Sequence, residues 1–132
     1  MIDFEYHVPT SLDQVFDLLD KYGDDSRVMA GGTALVIQMK QRLSQPGHVI
    51  GMRRVGSLNA IESTPEGLRI GALCTQRQIE NSELVGKELP LVADTFRKVA
   101  TPRIRNMATI GGGLVNGDPN QDPPPSLIAL GA

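Results

Sequence analysis

Two short glycine-rich stretches hold the residues of this sequence best suited to grip an anion through the backbone. In "MAGGTALV", Gly31 and Gly32 stand directly before an apolar pattern of helical period, and in "ATIGGG" Gly111, Gly112 and Gly113 follow Thr109 and Ile110. A residue without Cβ lets the chain reach positive φ and lets a ligand come close to the amides. The first amides of a helix have no partner within it and lie at the positive end of its dipole, which makes a phosphate the favoured guest. The Thr33 hydroxyl adds one more hydrogen-bonding group or caps the helix. Taken alone, Gly31-Gly32 reads more readily as a tight strand-to-helix turn with no ligand.

Just before the second cluster, "RKVATPRIR" carries Arg97, Lys98, Arg103 and Arg105 with no acid among them. Two amide-rich loops and such a basic segment could enclose a diphosphate from both sides, while a solvated face is the other reading of each arginine. Neither loop has the G-x-G-x-x-G or G-x-x-x-x-G-K-[ST] spacing of dinucleotide and P-loop sites. A carboxylate beside a diphosphate would be repelled, so Asp122, ahead of three prolines, is expected to accept from hydroxyls of a ribose or ribityl chain. Asp118, before Pro119, reads as a turn residue. No Ser-His-Asp or Cys-His arrangement is visible, so no catalytic residue is expected and any chemistry belongs to a cofactor.

The elements that must hold these residues can be read from periodicity. "PTSLDQVFDLLDKYG" places Leu12, Val15, Phe16, Leu18 and Leu19 at helical spacing, with Thr10 or Ser11 as cap, Asp13 in the first turn and Gly23 as the stop. A short buried strand, Val28 to Ala30, should lead into the double glycine, and Leu35, Met39 and Leu43 mark one face of a second helix. "PGHVIGMRRV" is a further candidate strand. After the turn Pro65-Glu66-Gly67, "GLRIGALCT" alternates with period two through Leu68, Ile70, Ala72 and Cys74. A third helix places Leu89, Val92, Phe96, Val99 and Ala100 on one face, with Pro102 stopping or kinking it, and "DPPPSLIALGA" allows a short helix begun by proline. This alternation favours an α+β or α/β arrangement over a helical bundle.

The chain of 132 residues is 40% hydrophobic and 21% charged, with a formal net charge of −2 and no apolar run of bilayer length. Membrane insertion is therefore not expected, and with no secretory leader in "MIDFEYHVPTS" the cytoplasm is the default. Near-neutral charge, five aromatic residues and no Trp argue against a nucleic-acid surface. Cys74 is the lone cysteine, which excludes an internal disulfide or an all-cysteine cluster, and it reads as a small core residue. His7 and His48 are far apart in sequence with no ligand spacing around them, so they read as surface or core histidines and no metal is expected. The apolar end "SLIALGA" reads as a face that further sequence or another subunit would complete.

In their order and spacing, "FEYHVPTSLDQVFDLL", "RVMAGGTALVIQMK", "LRIGALCT", "PRIRNMATIGGG" and "NGDPNQDPPPSLIALGA" resemble the FAD-binding subunit of the molybdenum hydroxylases, the family of carbon monoxide dehydrogenase medium chains and xanthine dehydrogenase flavin domains. The resemblance covers essentially the whole chain. It implies an α+β, two-lobed FAD-binding domain of the vanillyl-alcohol-oxidase (PCMH) type, truncated at its C-terminus, with residues 1–55 as first lobe and 56–132 as the start of the second. It also implies noncovalent FAD between the lobes. Ala30, Gly31, Gly32, Thr33 and Ala34 would form one diphosphate loop; Thr109, Ile110, Gly111, Gly112 and Gly113 would form the other, with Asn116 and Asp122 at the sugar and ribityl region.

The partners implied are a molybdenum-cofactor large subunit and an iron–sulfur small subunit, joined by a second fragment if the flavin domain is split. The function implied is electron transfer from iron–sulfur clusters through FAD to an external acceptor. The competing expectation is a noncatalytic scaffold subunit with an empty flavin site. Two positions depart from the family pattern, Ala34 where a polar residue is frequent and Gly113 where Asn is frequent, and both are expected to remove side-chain contacts while leaving the amides.

Overall fold

The computed structural model describes residues 2–132. Its first half is built on a three-stranded parallel sheet in the order β1 (Glu5–His7), β3 (His48–Gly51), β2 (Ser26–Met29). Parallel neighbours need crossovers, and the sequence supplies them as α1 (Leu12–Tyr22) between β1 and β2 and α2 (Leu35–Lys40) between β2 and β3. The central strand has apolar residues toward both faces, and Val49 and Ile50 are fully buried. Ser11 caps α1 by accepting from the Gln14 amide at 3.3 Å, and Gly23 ends it at φ +49°. Val15 packs with Ile50, Met52 and Val55, flanked by Leu12, Leu18 and Leu19. Phe16, one residue off that stripe, is exposed.

The second helix is shorter than its sequence pattern implies. It ends at Lys40, the chain turns at Arg42 with φ +61°, and Leu43 is left 76% exposed rather than on the buried face. Of the candidate strand "PGHVIGMRRV" only His48–Gly51 forms β3, and Met52–Arg54 turn as a short 3-10 helix.

The second half rests on an antiparallel hairpin, β4 (Ile61–Thr64) and β5 (Gly67–Ile70), joined by the two residues Pro65 and Glu66. Ile61, Leu68 and Ile70 face a cluster of Cys74, Ile79, Val85, Val92, Ala93, Phe96 and Ile110. The period-two pattern ends at Ile70, and past it the chain leaves the sheet so that Leu73 joins the first cluster and Cys74 the second. Six short helices follow: α3 (Gln76–Glu80), α4 (Glu83–Glu88), α5 (Pro90–Lys98), α6 (Pro102–Arg105), α7 (Ile110–Asn116) and α8 (Pro123–Ala129).

Four of these, α3, α4, α6 and α7, escape a reading by hydrophobic period because each is seven residues or fewer. Their signals lie in the caps. Thr75 and Gln78 form a reciprocal capping box, and Ser82, Thr101 and Thr109 each accept from the amide three residues on. Pro102 opens α6 rather than ending α5, which already stops at Lys98 before Ala100 takes φ +43°.

A buried ion pair ties α3 to α6. Glu80 is 4% exposed and Arg105 7%, with Glu80 Oε2 and Arg105 Nε 2.7 Å apart. Arg105 Nη1 also donates to the Val99 carbonyl at 2.7 Å, and Arg77 pairs with the other carboxylate oxygen. Removing Arg105 leaves the buried Glu80 carboxylate with only the partly exposed Arg77 as partner; breaking a buried pair costs up to about 3–5 kcal/mol, whereas replacing both partners by apolar groups is often neutral. Arg105→Met is therefore expected to lower unfolding free energy in urea far more than the double change Glu80→Met/Arg105→Met. Equal losses in the two variants would show that the pair does not fix α6.

Candidate functional site

The two halves meet along a cleft of about 760 Å³. One wall is the β2–α2 turn, which the sequence builds from a strand that ends at Met29, two glycines and a threonine before α2 begins. Gly32 takes φ +74°, a conformation that residues with a side chain rarely adopt. Gly31 lies under the Met107–Ala108 backbone so closely that a Cβ there would overlap the Met107 carbonyl. The other wall is the chain from Ala108 into α7, anchored by the isolated bridge between Thr75 and Thr109 and by the Gln76 amide donating to the Ala108 carbonyl at 2.8 Å.

The structure places Ala30, Gly31, Gly32, Thr33 and Ala34 along the first wall, and Thr109, Gly111, Gly112, Gly113, Asn116 and Asp122 along the second. Ile110 is not with them. Its side chain turns into the second core.

The two glycine clusters differ in the state of their amides. The backbone N–H groups of Gly31, Gly32, Thr33 and Ala34 donate to no acceptor among the described residues. The second cluster is the opening of a helix rather than a loop, and its donors are already engaged. Ile110 N donates to Cys74 O at 3.1 Å, Gly111 N to Ala72 O at 2.9 Å, Gly112 N to Thr109 Oγ1 at 3.1 Å and Gly113 N to Thr109 O at 3.0 Å. The expectation of a second set of free amides is corrected accordingly. Gly111 and Gly112 serve close packing instead: a Cβ at Gly111 would stand 2.7 Å from the Ala72 carbonyl, and one at Gly112 2.8 Å from Thr109 Oγ1 and 3.3 Å from Ala30 Cβ.

The basic segment also lies elsewhere. Arg97 pairs with Asp94 at 2.7 Å, Arg105 is buried with Glu80, and none of Arg97, Lys98, Arg103 and Arg105 lines the cleft, whose basic residue is Arg27. Arg27 Nη1 donates to the carbonyls of Asp24 and Ser26. Asn116 and Asp122 are exposed at the rim, with Asn116 Oδ1 accepting from Gln38 Nε2 at 3.3 Å. Asp118 accepts from the Asn120 amide at 2.9 Å, the turn its neighbours imply.

Sequence reading missed Gln76. It is 6% exposed, lines the cleft, and its Oε1 is buried with no hydrogen-bond partner among the described residues. A buried polar atom in that state costs about 1–3 kcal/mol unless a ligand or water satisfies it. The only advance signal was a glutamine just after the Thr75 cap, a common surface arrangement. His7 and His48, read as isolated, lie side by side on β1 and β3 with nitrogens 3.1 Å apart. Cys74 is buried as expected, with Sγ 3.4 Å from the Ala60 carbonyl, and burial pushes its thiol above the ordinary value, partly offset by a backbone hydrogen bond at Gly71.

Comparison with known proteins gives a consistent family. The family described as FAD binding domain in molybdopterin dehydrogenase matches residues 2–132. The chain is 40% identical over 129 residues to the carbon monoxide dehydrogenase medium chain of Afipia carboxidovorans, covering 98% of this chain and 45% of that one. It is 31% identical over 131 residues to the xanthine dehydrogenase FAD-binding subunit of Escherichia coli O157:H7, covering 97% and 44%. A solved structure of carbon monoxide dehydrogenase from Hydrogenophaga pseudoflava superposes with a TM-score of 0.91 at 38% identity, over 94% of this chain and 44% of that one. The chain thus spans about half the length of these relatives.

Two outcomes follow from the packing. Gly31→Ala must displace backbone, so it is expected to destabilise by about 1–3 kcal/mol as overpacking does. Gly86→Ala, within α4 and with nothing near its Cβ position, is expected to stabilise by about 0.5–1 kcal/mol. Thermal unfolding of both variants checks the contrast. In the folded protein Cys74 should resist a disulfide reagent at neutral pH and react once urea unfolds the chain, because both burial and the raised thiol pKa suppress thiolate.

Proposed function

The chain belongs to the family of FAD-binding domains of molybdopterin dehydrogenases, and from that membership we propose that its cleft binds FAD noncovalently for electron transfer in a multi-subunit molybdenum hydroxylase. The observation that carries the reading is the run Gly31, Gly32, Thr33 and Ala34, residues that line the cleft, whose amides have no acceptor among the described residues and whose loop holds no carboxylate. Unpaired N–H groups of a turn that opens a helix suit a diphosphate. The orphaned Gln76 Oε1 on the same cleft marks a polar atom that a bound ligand would satisfy, and the cleft's volume suits a large cofactor.

Each residue has a distinct task in this proposal. The 30–34 turn holds the diphosphate and Thr33 adds its hydroxyl. Thr109, Gly111, Gly112 and Gly113 form a wall with no side chain beyond Cβ except that of Thr109, so the cofactor can lie against the backbone. At the rim, Asp122 accepts from ligand hydroxyls and Asn116, whose Oδ1 accepts from Gln38, donates to them through Nδ2. When bound, FAD supplies the redox chemistry that none of these side chains can perform, receiving electrons and delivering them to an external acceptor.

The relatives are subunits of complexes by their names, and the proposed partners are a molybdenum-cofactor large subunit and an iron–sulfur small subunit. Treating residues 1–55 and 56–132 as two lobes is part of the proposal; two apolar clusters support two lobes, although Leu58 and Leu73 of the second stretch pack on the first cluster. No helix among the described residues is long and apolar enough to cross a membrane, and a cytoplasmic setting, compatible with a buried free thiol, is part of the proposal.

Gly32→Val both strains φ +74° and crowds Met29 Sδ, 3.0 Å from the new Cβ, and so displaces the turn that carries the free amides. It is expected to weaken FAD retention at least about tenfold, a loss of 1.4 kcal/mol in binding, while Asp118→Asn leaves it unchanged. Flavin absorbance of the purified, gel-filtered protein, followed by FAD titration, measures both. Equal retention in the two variants would remove the diphosphate assignment, and a wild type that takes up no FAD would favour a scaffold subunit.

A further inference from the structure

Away from the cleft, the parallel sheet gathers three side chains able to ligate a metal ion. Glu5 and His7 are two residues apart on β1, so they project from the same face, and the β1–β3 register sets Glu5 opposite His48. His7 Nε2 and His48 Nδ1 lie 3.1 Å apart, and Glu5 Oε2 is 3.5 Å from His48 Nδ1. One ligand atom from each residue can be chosen so that all lie within 4.8 Å of one another. Two nitrogens each about 2.1 Å from a single tetrahedral ion would themselves be about 3.4 Å apart. The observed spacing is therefore close to that of two nitrogens on one ion, which would sit beside the line joining them once both rings turn toward it.

The surroundings fit the same use. Tyr22, the last residue of α1, stacks on the His48 ring with centroids 3.6 Å apart and planes at 19°, and lies 5.0 Å from His7. This fixes ring orientation, which a ligand site requires. Glu5 Oε1 is 3.9 Å from His7 Nδ1, so one carboxylate can ligate through Oε2 and orient the far nitrogen of His7 through Oε1. The His7 and His48 side chains are 13% and 20% exposed and Glu5 is 64% exposed, leaving a path for the ion and a fourth position for water.

We infer that Glu5, His7 and His48 form a binding site for a divalent transition metal, zinc by its donor set, that clasps β1 to the central strand β3. Two imidazoles and a carboxylate suit Zn²⁺ better than Mg²⁺ or Ca²⁺, which prefer all-oxygen shells. The site goes beyond the flavin reading and does not depend on it. Only neutral imidazole and ionised carboxylate ligate, so uptake replaces the proton shared by the two imidazoles and raises the melting temperature by binding the folded sheet alone.

The test titrates ZnCl₂ into the purified, chelator-stripped full chain, by calorimetry and by NMR of the histidine ring nitrogens. One Zn²⁺ per chain is expected, with shifts at His7 Nε2 and His48 Nδ1, and with binding weakened at least about tenfold by His48→Gln, by His7→Gln and by Glu5→Gln. The inference fails if the wild-type ring nitrogens do not shift with zinc, or if a folded His7→Gln/His48→Gln protein binds zinc as tightly as the wild type. The ring-nitrogen spectrum of the wild type decides the matter even if a variant does not fold.

Discussion

The contact on which the site depends is backbone against backbone: Gly31 in the β2–α2 turn lies directly beneath the Met107–Ala108 peptide. No side chain mediates it, and none would fit. The turn with free amides and the chain that faces it are thereby held at a separation set by van der Waals contact of main-chain atoms, and Ala30 against Gly112 continues the same seam. A cleft bounded in this way is held by close packing, which resists small changes of separation.

Each side of that seam is fastened to its own core. On the first side, β2 pairs along its length with β3, whose Val49 and Ile50 are buried, so the turn that follows Met29 starts from a fixed point. On the second side, the Glu80–Arg105 pair, the Thr75–Thr109 bridge and the cap of Thr109 on Gly112 fix residues 105 to 112. The consequence is an asymmetric cleft. Hydrogen-bond donors remain available on the first wall, whereas the second presents glycines whose donors already serve the fold. Gly111 and Gly112 permit close contact with Ala72 and Ala30, which brings the second wall up to the first, while Gly113 faces Gln121.

The central strand has a second effect, on the opposite end of its sheet. By pairing in parallel with β1 it brings His48 beside Glu5 and His7, and α1 delivers Tyr22 as a stacking partner. The strand that steadies the β2–α2 turn thus also brings Glu5, His7 and His48 together. Both results come from one register, and a slip by one residue would turn His48 to the other face.

The sequence by itself determined much of the local structure. The Ser11-to-Gly23 helix, the "HVIG" strand, the Pro65-Glu66 turn and the strand–double glycine–helix order all follow from period, caps and glycine placement, and these segments in series carry the family. Short helices were legible only through their caps, since five to seven residues hold too few apolar positions to show a period. Only the tertiary structure decided which amides stay free, that Gln76 Oε1 is left without a partner, that Arg105 is buried against Glu80 rather than turned to the cleft, and that His7 meets His48 across 41 positions of sequence. The physical reason is common to all four: a hydrogen bond or ion pair is settled by whichever group the fold brings within about 3 Å, and residues distant in sequence carry no local mark of that neighbour.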